Sequence, residues 1–125
     1  MRPMPQESLN YYFSSEYLGD LRLASYSEII RVTRKVDVGE IAEIGVGPGI
    51  LPAMLKALGE SVSTIDHSGD LNPDIICDVR ELANIHRCFD KVICSQVLEH
   101  LPYEDFSLAI EQLLSIGKKL VLSHS

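Results

Sequence analysis

Glu40-Ile41-Ala42-Glu43-Ile44-Gly45-Val46-Gly47-Pro48-Gly49 is the stretch on which the fold of this chain turns. The apolar run from Ile41 to Ile44 reads as a strand. It carries the acidic Glu43 to the mouth of a turn with three glycines at alternate positions. Bare Cα atoms at Gly45, Gly47 and Gly49 let backbone N–H groups come close to a ligand. A helix beginning near Ile50 points its unpaired N-terminal donors and the positive end of its dipole at the same spot. Strand, glycine turn and helix in this order mark the crevice at which open α/β sheets hold small molecules.

Downstream of the turn, Ile50, Leu51, Met54, Leu55 and Leu58 recur on one face of an amphipathic helix that Gly59 closes. Pro52 falls in its first turn, where a missing N–H costs little. Ser61 to Ile65 is a second strand, with Asp66 and His67 at its carboxyl end. The brief apolar run Ile75-Ile76-Cys77 leads into Asp78-Val79, and Glu81 to Arg87 has room for a helical turn or two. Lys91-Val92-Ile93-Cys94 is a continuous apolar run, as a strand buried on both faces requires. Glu104 to Ile116 reads as a helix whose stripe is Phe106, Ala109, Ile110, Leu113 and Leu114, stopped by Gly117. Leu120-Val121-Leu122 is a last strand. Upstream, the reading is helical in two pieces. An aromatic-rich one spans about Ser8 to Tyr17, and a second opens on the capping-box pattern Ser25-x-x-Glu28 and turns Ile29, Ile30 and Val36 towards a core. Tyr17 has two readings, packing on the sheet or touching a ligand, and packing is the commoner fate of such an aromatic. Strands alternating with helices predict a parallel sheet.

One domain suits 125 residues, with 1–38 as N-terminal helices and 39–125 as the α/β core. A net charge of −7, from 18 acidic and 11 basic residues, gives no footprint for a phosphate backbone, so no nucleic-acid partner is expected. Arg31, Arg34 and Lys35 read as a solvated face. No apolar run has the length of a membrane span and the N-terminus lacks a signal peptide's apolar segment, so the expected location is cytoplasmic, without membrane partners. Cys77, Cys88 and Cys94 are odd in number and lack C-x-x-C spacing, which points to neither disulfides nor a zinc site. Cys94 reads as a small buried hydrophobe.

Three acidic residues, Glu43, Asp66 and Asp78, lie at or just after strand ends, which a parallel sheet gathers along one rim. Asp66 stands 21 residues beyond Gly45, a separation at which a carboxylate accepts hydrogen bonds from both hydroxyls of a ribose. The dinucleotide fingerprint G-x-G-x-x-G fails, because Ile50 stands where its third glycine belongs. Glu43 beside the turn disfavours a pyrophosphate and favours a ligand carrying an ammonium or sulfonium charge. A nicotinamide dehydrogenase is disfavoured on both counts.

Glu43-Ile44-Gly45-Val46-Gly47-Pro48-Gly49 resembles the E/D-x-G-x-G-x-G signature of class I S-adenosylmethionine-dependent methyltransferases. Phe89-Asp90-Lys91-Val92-Ile93-Cys94-Ser95-Gln96-Val97-Leu98-Glu99-His100-Leu101 is similar to that family's F-D-x-V-x-x-x-x-V-L-E-H-L stretch, a strand and the helix after it. Asp66 matches its ribose carboxylate, and Asp78-Val79 its adenine contact. The resemblance covers about Glu40 to Leu122 and implies a Rossmann-like, mainly parallel five-strand sheet in the order 3-2-1-4-5. It implies S-adenosyl-L-methionine as cofactor, with Gly45, Val46 and Gly47 bringing backbone to the methionyl part and Glu43 holding the ammonium. It further implies Asp66 on the ribose and His67 along the adenine. Asp78 would receive the exocyclic amine, with the backbone N–H of Val79 on the ring. Ser95 and Gln96 would line the wall near the sulfonium, or simply form a strand-end turn. The implied reaction is methyl transfer to a small-molecule acceptor. His100 is the one catalytic candidate, against the plainer reading that it packs at a helix end. Gln96 replaces the first glutamate of the metal-assisted members' E-x-x-E-H, so no metal is expected.

Two departures from the family pattern shape further expectations. Only eleven residues separate Asp66 from Asp78, so the usual helix there is missing or reduced to a turn. The chain also stops just after its fifth strand, so either the open edge invites self-association or the sequence is a fragment of something longer. A catalytically silent cofactor-binding subunit, sensor or interaction domain is therefore the alternative to an enzyme.

Overall fold

A computed structural model describes residues 20–34, 39–95 and 97–123. The expected Ser8–Tyr17 helix, Tyr17 itself, Lys35, Val36 and Gln96 lie outside those residues. The described elements are α1 (Asp20–Arg34), β1 (Glu40–Ile44), α2 (Ile50–Ala57), β2 (Ser61–Asp66), β3 (Ile75–Ile76), β4 (Phe89–Ser95), α3 (Phe106–Ile116) and β5 (Gly117–Ser123), with 3-10 turns at Gly69–Leu71, Val79–Ile85, Leu98–His100 and Tyr103–Asp105. All four strand pairings are parallel, and the order is β3-β2-β1-β4-β5, as expected.

Alternation along the strands divides the core into two layers. Ala42, Ile44, Ile65, Val92 and Cys94 face Val79 and Leu82 of the 3-10 segment and Ala109, Leu113 and Ile116 of α3. Ile41, Val62 and Ile93 face Tyr26 and Ile29 of α1 and Leu51 and Leu55 of α2. The short β1 is thus buried on both faces at the centre of the sheet, which sets the glycine turn after it on a rigid base. Asp90 fixes where β1 begins by accepting the Glu40 amide at 2.8 Å.

The helix at Ile50 ends as its sequence demands. Gly59 takes φ +90, its N–H reaches the Lys56 carbonyl at 3.0 Å, and the Glu60 N–H reaches Leu55 at 3.0 Å, the paired bonds of a Schellman stop. Between β2 and β3 there is no helix, only the three-residue turn Gly69–Leu71 that Ser68 caps. Ile76, which pairs with Asp66 and shares its face, is consequently 65% exposed.

Several local expectations are corrected. The Ser25-x-x-Glu28 pattern does not open α1, which is already helical from Asp20. Leu21, Leu23 and Ala24 are good helix formers that carry the helix past Ser25, and Glu28 pairs with Arg31 in place of a capping contact. Met54 and Leu58 are exposed, because so short a helix seats only the Leu51–Leu55 line and Leu58 falls beyond its last residue. Phe106 and Leu114 likewise flank the buried Ala109–Leu113–Ile116 line of α3 and stay exposed. The V-L-E-H-L stretch forms a 3-10 turn, and the α-helix waits until Phe106. Lys91, counted within an apolar strand, is 2% exposed, and its Nζ donates to the Thr33 carbonyl at the end of α1 at 3.1 Å. Its long stem packs between helix and sheet while its charge meets the negative end of the helix dipole. Arg31 and Arg34 are exposed, as expected of a solvated face.

Candidate functional site at the carboxyl rim

The glycine turn leaves β1 with Gly45, Gly47 and Gly49 at φ +85, +57 and +81. Only glycine adopts such a run of left-handed angles without strain. The Gly45 N–H bonds the Ile65 carbonyl at 2.8 Å, which extends the β1–β2 ladder into the turn. A Cβ on Gly45 would stand 2.4 Å from Cγ2 of Val97, whereas one on Gly49 meets nothing within 4 Å. Gly45 therefore makes room for Val97 from the segment after β4. The sequence reading had assigned that space to a ligand.

Asp66 is the hub of the rim. Its Oδ2 accepts the Val46 N–H at 3.0 Å and its Oδ1 accepts the Ser68 N–H at 3.0 Å, while His67 Nδ1 lies 3.2 Å from Oδ1. The Val46 amide, expected at the ligand, is turned to Asp66. A carboxylate offers about four acceptor positions, so Asp66 retains capacity for further donors. The Cys77 N–H bonds the Asp66 carbonyl at 2.9 Å, drawing the end of β3 alongside that of β2. Asp78 follows on the same rim. Its carboxylate caps the next turn through the Arg80 N–H at 2.8 Å, and takes Arg80 Nε at 2.9 Å and Nη2 at 2.8 Å. Burial opposes ionisation of Asp78, but these Arg80 contacts, with a smaller contribution from nearby His67, outweigh it and hold the carboxyl below its ordinary range. Val79 is buried in the core.

Glu43 occupies β1 between Thr64 on one side and Ile93 on the other. It is 2% exposed, and its Oε2 finds no hydrogen-bond partner among the described residues. The nearest hydroxyl in register, Thr64 Oγ1, is already bonded to Asp74 at 3.1 Å. Burial consequently pushes the Glu43 carboxyl well above its ordinary range, only partly offset by Lys56. The second unpartnered polar atom near the rim is His67 Nε2.

Ser95 closes β4 with its carbonyl 3.7 Å from where a Gly45 Cβ would lie, so it borders the turn. Gln96 lies outside the described residues. His100 is exposed on the Leu98–His100 turn. Sequence reasoning missed Arg80 and Val97. An Asp-x-Arg at a turn start hints at the first, and nothing local points to the second.

No protein-family model matches the chain. An uncharacterized methyltransferase of Staphylococcus carnosus is 31% identical over 111 residues, covering 78% of this chain and 53% of its own length. A mitochondrial ubiquinone biosynthesis O-methyltransferase of Schizosaccharomyces pombe is 28% identical over 123 residues, covering 85% and 45%. The chain thus spans about half the length of the curated relatives it matches. Among solved structures, magnesium protoporphyrin IX methyltransferase (ChlM) from Synechocystis PCC 6803 with bound SAM superposes at TM-score 0.63 with 24% identity, covering 82% of this chain and 60% of that one. TehB from Haemophilus influenzae superposes at 0.61 with 19% identity, covering 74% and 37%. The fold is that of the class I S-adenosylmethionine-dependent methyltransferases. Within this methyltransferase fold the glycine turn, Asp66 and Asp78 share one rim. The orphaned buried oxygen of Glu43 beside the turn fits a ligand that brings a cation there.

Proposed function

We infer that this chain binds S-adenosyl-L-methionine at the carboxyl rim and supports methyl transfer to a small-molecule acceptor. The observation that carries the reading is Glu43, a carboxylate buried beside the glycine turn with an oxygen left unpartnered. An isolated buried carboxylate is costly unless a cation or donor meets it. The ammonium of the methionyl group supplies both. Asp66, already locked by the Val46 and Ser68 amides, presents its remaining lone pairs to the ribose, and His67 lies along the adenine. Asp78 and the Val79 backbone take the adenine edge, while Gly45, Gly47 and Ser95 border the methionyl and sulfonium end. The relatives' names favour a small acceptor, since the yeast relative is a ubiquinone biosynthesis O-methyltransferase and ChlM acts on magnesium protoporphyrin IX. The net charge of −7 argues against a nucleic-acid acceptor. No helix among the described residues is long and apolar enough to cross a membrane.

The bound cofactor supplies an activated methyl group on a good leaving group. The chain's own contribution is alignment and exclusion of water, for which no protein base is obligatory. The exposed position of His100 accords with that division of labour. Isothermal titration with S-adenosylhomocysteine and NAD tests the reading. Binding of the first alone supports it, and binding of neither, or of NAD in preference, overturns it. The second reading, a cofactor-binding subunit without turnover, takes its support from the outer edge of β5, which no described strand pairs. Cofactor binding without turnover over a broad acceptor panel, with a dimer in light scattering, would select it.

A further inference from the structure

The Arg80 side chain is 1% exposed, and it joins two segments that the chain separates widely. Its Nε and Nη2 form a two-point fork on Asp78 at 2.9 and 2.8 Å, and its Nη1 reaches Oδ2 of Asp105 at 2.8 Å. Asp105 closes the Tyr103–Asp105 turn that runs into α3, with helical backbone angles, and its carboxylate is turned to Arg80. The segment it ties down, Val97 to Asp105, leaves β4 beside the glycine turn and packs Val97 against Gly45.

We propose that Arg80 is a positioning residue: it sets the orientation of the Asp78 carboxylate that reads the adenine and couples that end of the site to the Val97–Asp105 segment. The proposal rests on the cofactor reading above. With Arg80 N–H and Nε on Oδ1 and Nη2 on Oδ2, Asp78 keeps about one acceptor position, on Oδ2, for an exocyclic amine. A guanidinium can hold both carboxylates in one plane, whereas an ammonium is a single point charge and cannot reproduce the fork. The Val79–Ile85 turn keeps a separate tie to α3 through Ala83 N–H and Gln112 Oε1 at 2.7 Å, so variants at Arg80 retain an anchor between these elements.

The test compares S-adenosylhomocysteine with S-inosylhomocysteine, whose base carries an oxygen in place of the amine. Both are titrated calorimetrically into the wild-type chain, Arg80→Met, Arg80→Lys and Asp105→Asn, with hydrogen exchange followed over residues 97–105. The wild type should favour the adenine ligand by about tenfold or more, the scale of one hydrogen bond to a charged group. Arg80→Met should bring that ratio to within about threefold, and Arg80→Lys should fall between. Asp105→Asn should keep the ratio but speed exchange across 97–105 and abolish its slowing by ligand. A purely structural ion cluster would lower the melting temperature of every variant while leaving the base preference intact. That outcome overturns the proposal and spares the cofactor reading. A wild type that binds neither ligand removes both. If Arg80→Met fails to fold, Arg80→Lys and Asp105→Asn still decide, and an unchanged ratio in the first with unchanged exchange in the second refutes the assignment.

Discussion

Gly45→Ala separates two explanations for the first glycine of the turn. If the bare Cα is there for a ligand, alanine should spare stability and harm binding. The structure argues the reverse. Gly45 holds φ +85, and an L-residue placed there loses roughly 1–2 kcal/mol. Its Cβ would also lie 2.4 Å from Val97 Cγ2, and forcing an extra methyl into a packed site costs about 1–3 kcal/mol more. The sum, roughly 2–5 kcal/mol, is a large share of the ~5–15 kcal/mol that holds a typical domain together.

Gly49→Ala is the built-in control, because φ is +81 there but nothing lies within 4 Å of the added Cβ. It should lose only the conformational part, about 1–2 kcal/mol. Urea unfolding followed by circular dichroism reads both. With slopes near 1–3 kcal/mol per molar, that extra ~1–3 kcal/mol should lower the Gly45→Ala midpoint by about 0.3–3 M beyond that of Gly49→Ala. Val97→Ala removes the obstructing methyls, so the double variant Gly45→Ala/Val97→Ala should lose at least about 1 kcal/mol less than the two single losses added. Coincident midpoints for the two glycine variants, or strict additivity in the cycle, would refute the reasoning.

Asp66→Asn should stay folded yet bind S-adenosylhomocysteine at least about tenfold more weakly in calorimetry, since a charge-assisted acceptor for two amides and the ribose becomes a neutral amide. Glu43→Gln should raise the urea midpoint of the free protein at neutral pH and weaken cofactor binding. The folded pKa of Glu43 lies well above its unfolded value, so the stability it contributes is complete below that unfolded value and disappears as pH rises through the raised one. Its removal should flatten that part of the pH profile. Asp78 has the opposite sign, its folded pKa being lowered, so Asp78→Asn should blunt the loss of stability on acidification through that lowered value in a pH series of urea melts. Burial pushes the Cys94 thiol up to about 12, so iodoacetamide should label the exposed Cys88 in the native protein and reach Cys94 only in denaturant, as mass spectrometry of peptides will report.

The parallel sheet was legible because each strand announces itself locally, by apolar runs and by the turns that end them, whereas its order came only from the resemblance to the methyltransferase family. The missing helix between β2 and β3 was legible from simple distance along the chain between Asp66 and Asp78. The site was legible as far as local chemistry goes: a carboxylate at each strand end and glycines at left-handed angles. What escaped depends on partners far away in sequence. Arg80 meets Asp105 across 25 residues, and Lys91 meets Thr33 across 58. Val97 fills the space above Gly45 only once β4 lies beside β1. Ser25 misled for the converse reason, since a genuine local cap signal was overruled by good helix formers before it. The apolar stripes of α2 and α3 were drawn too wide, because periodicity identifies a face but not how much of it a narrow sheet can cover.

The three rim carboxylates show how one sheet edge divides its labour. Asp66 and Asp78 are satisfied by backbone and guanidinium donors, so their orientations are settled before any ligand arrives. Glu43, a strand away and more deeply buried, has one oxygen that no donor among the described residues meets, and burial drives its carboxyl towards the neutral form. A site built from fully satisfied acids would be more stable but would gain less from a cation. A site built from unsatisfied ones would lack a rigid frame. Placing an unpartnered, buried carboxylate oxygen beside the glycine turn concentrates the gain from binding at the charged end of the ligand, while the other two acids set register along its nucleoside. Binding of a cation at Glu43 should therefore stabilise this fold by more than contact area alone predicts, because it also removes a defect of the free protein.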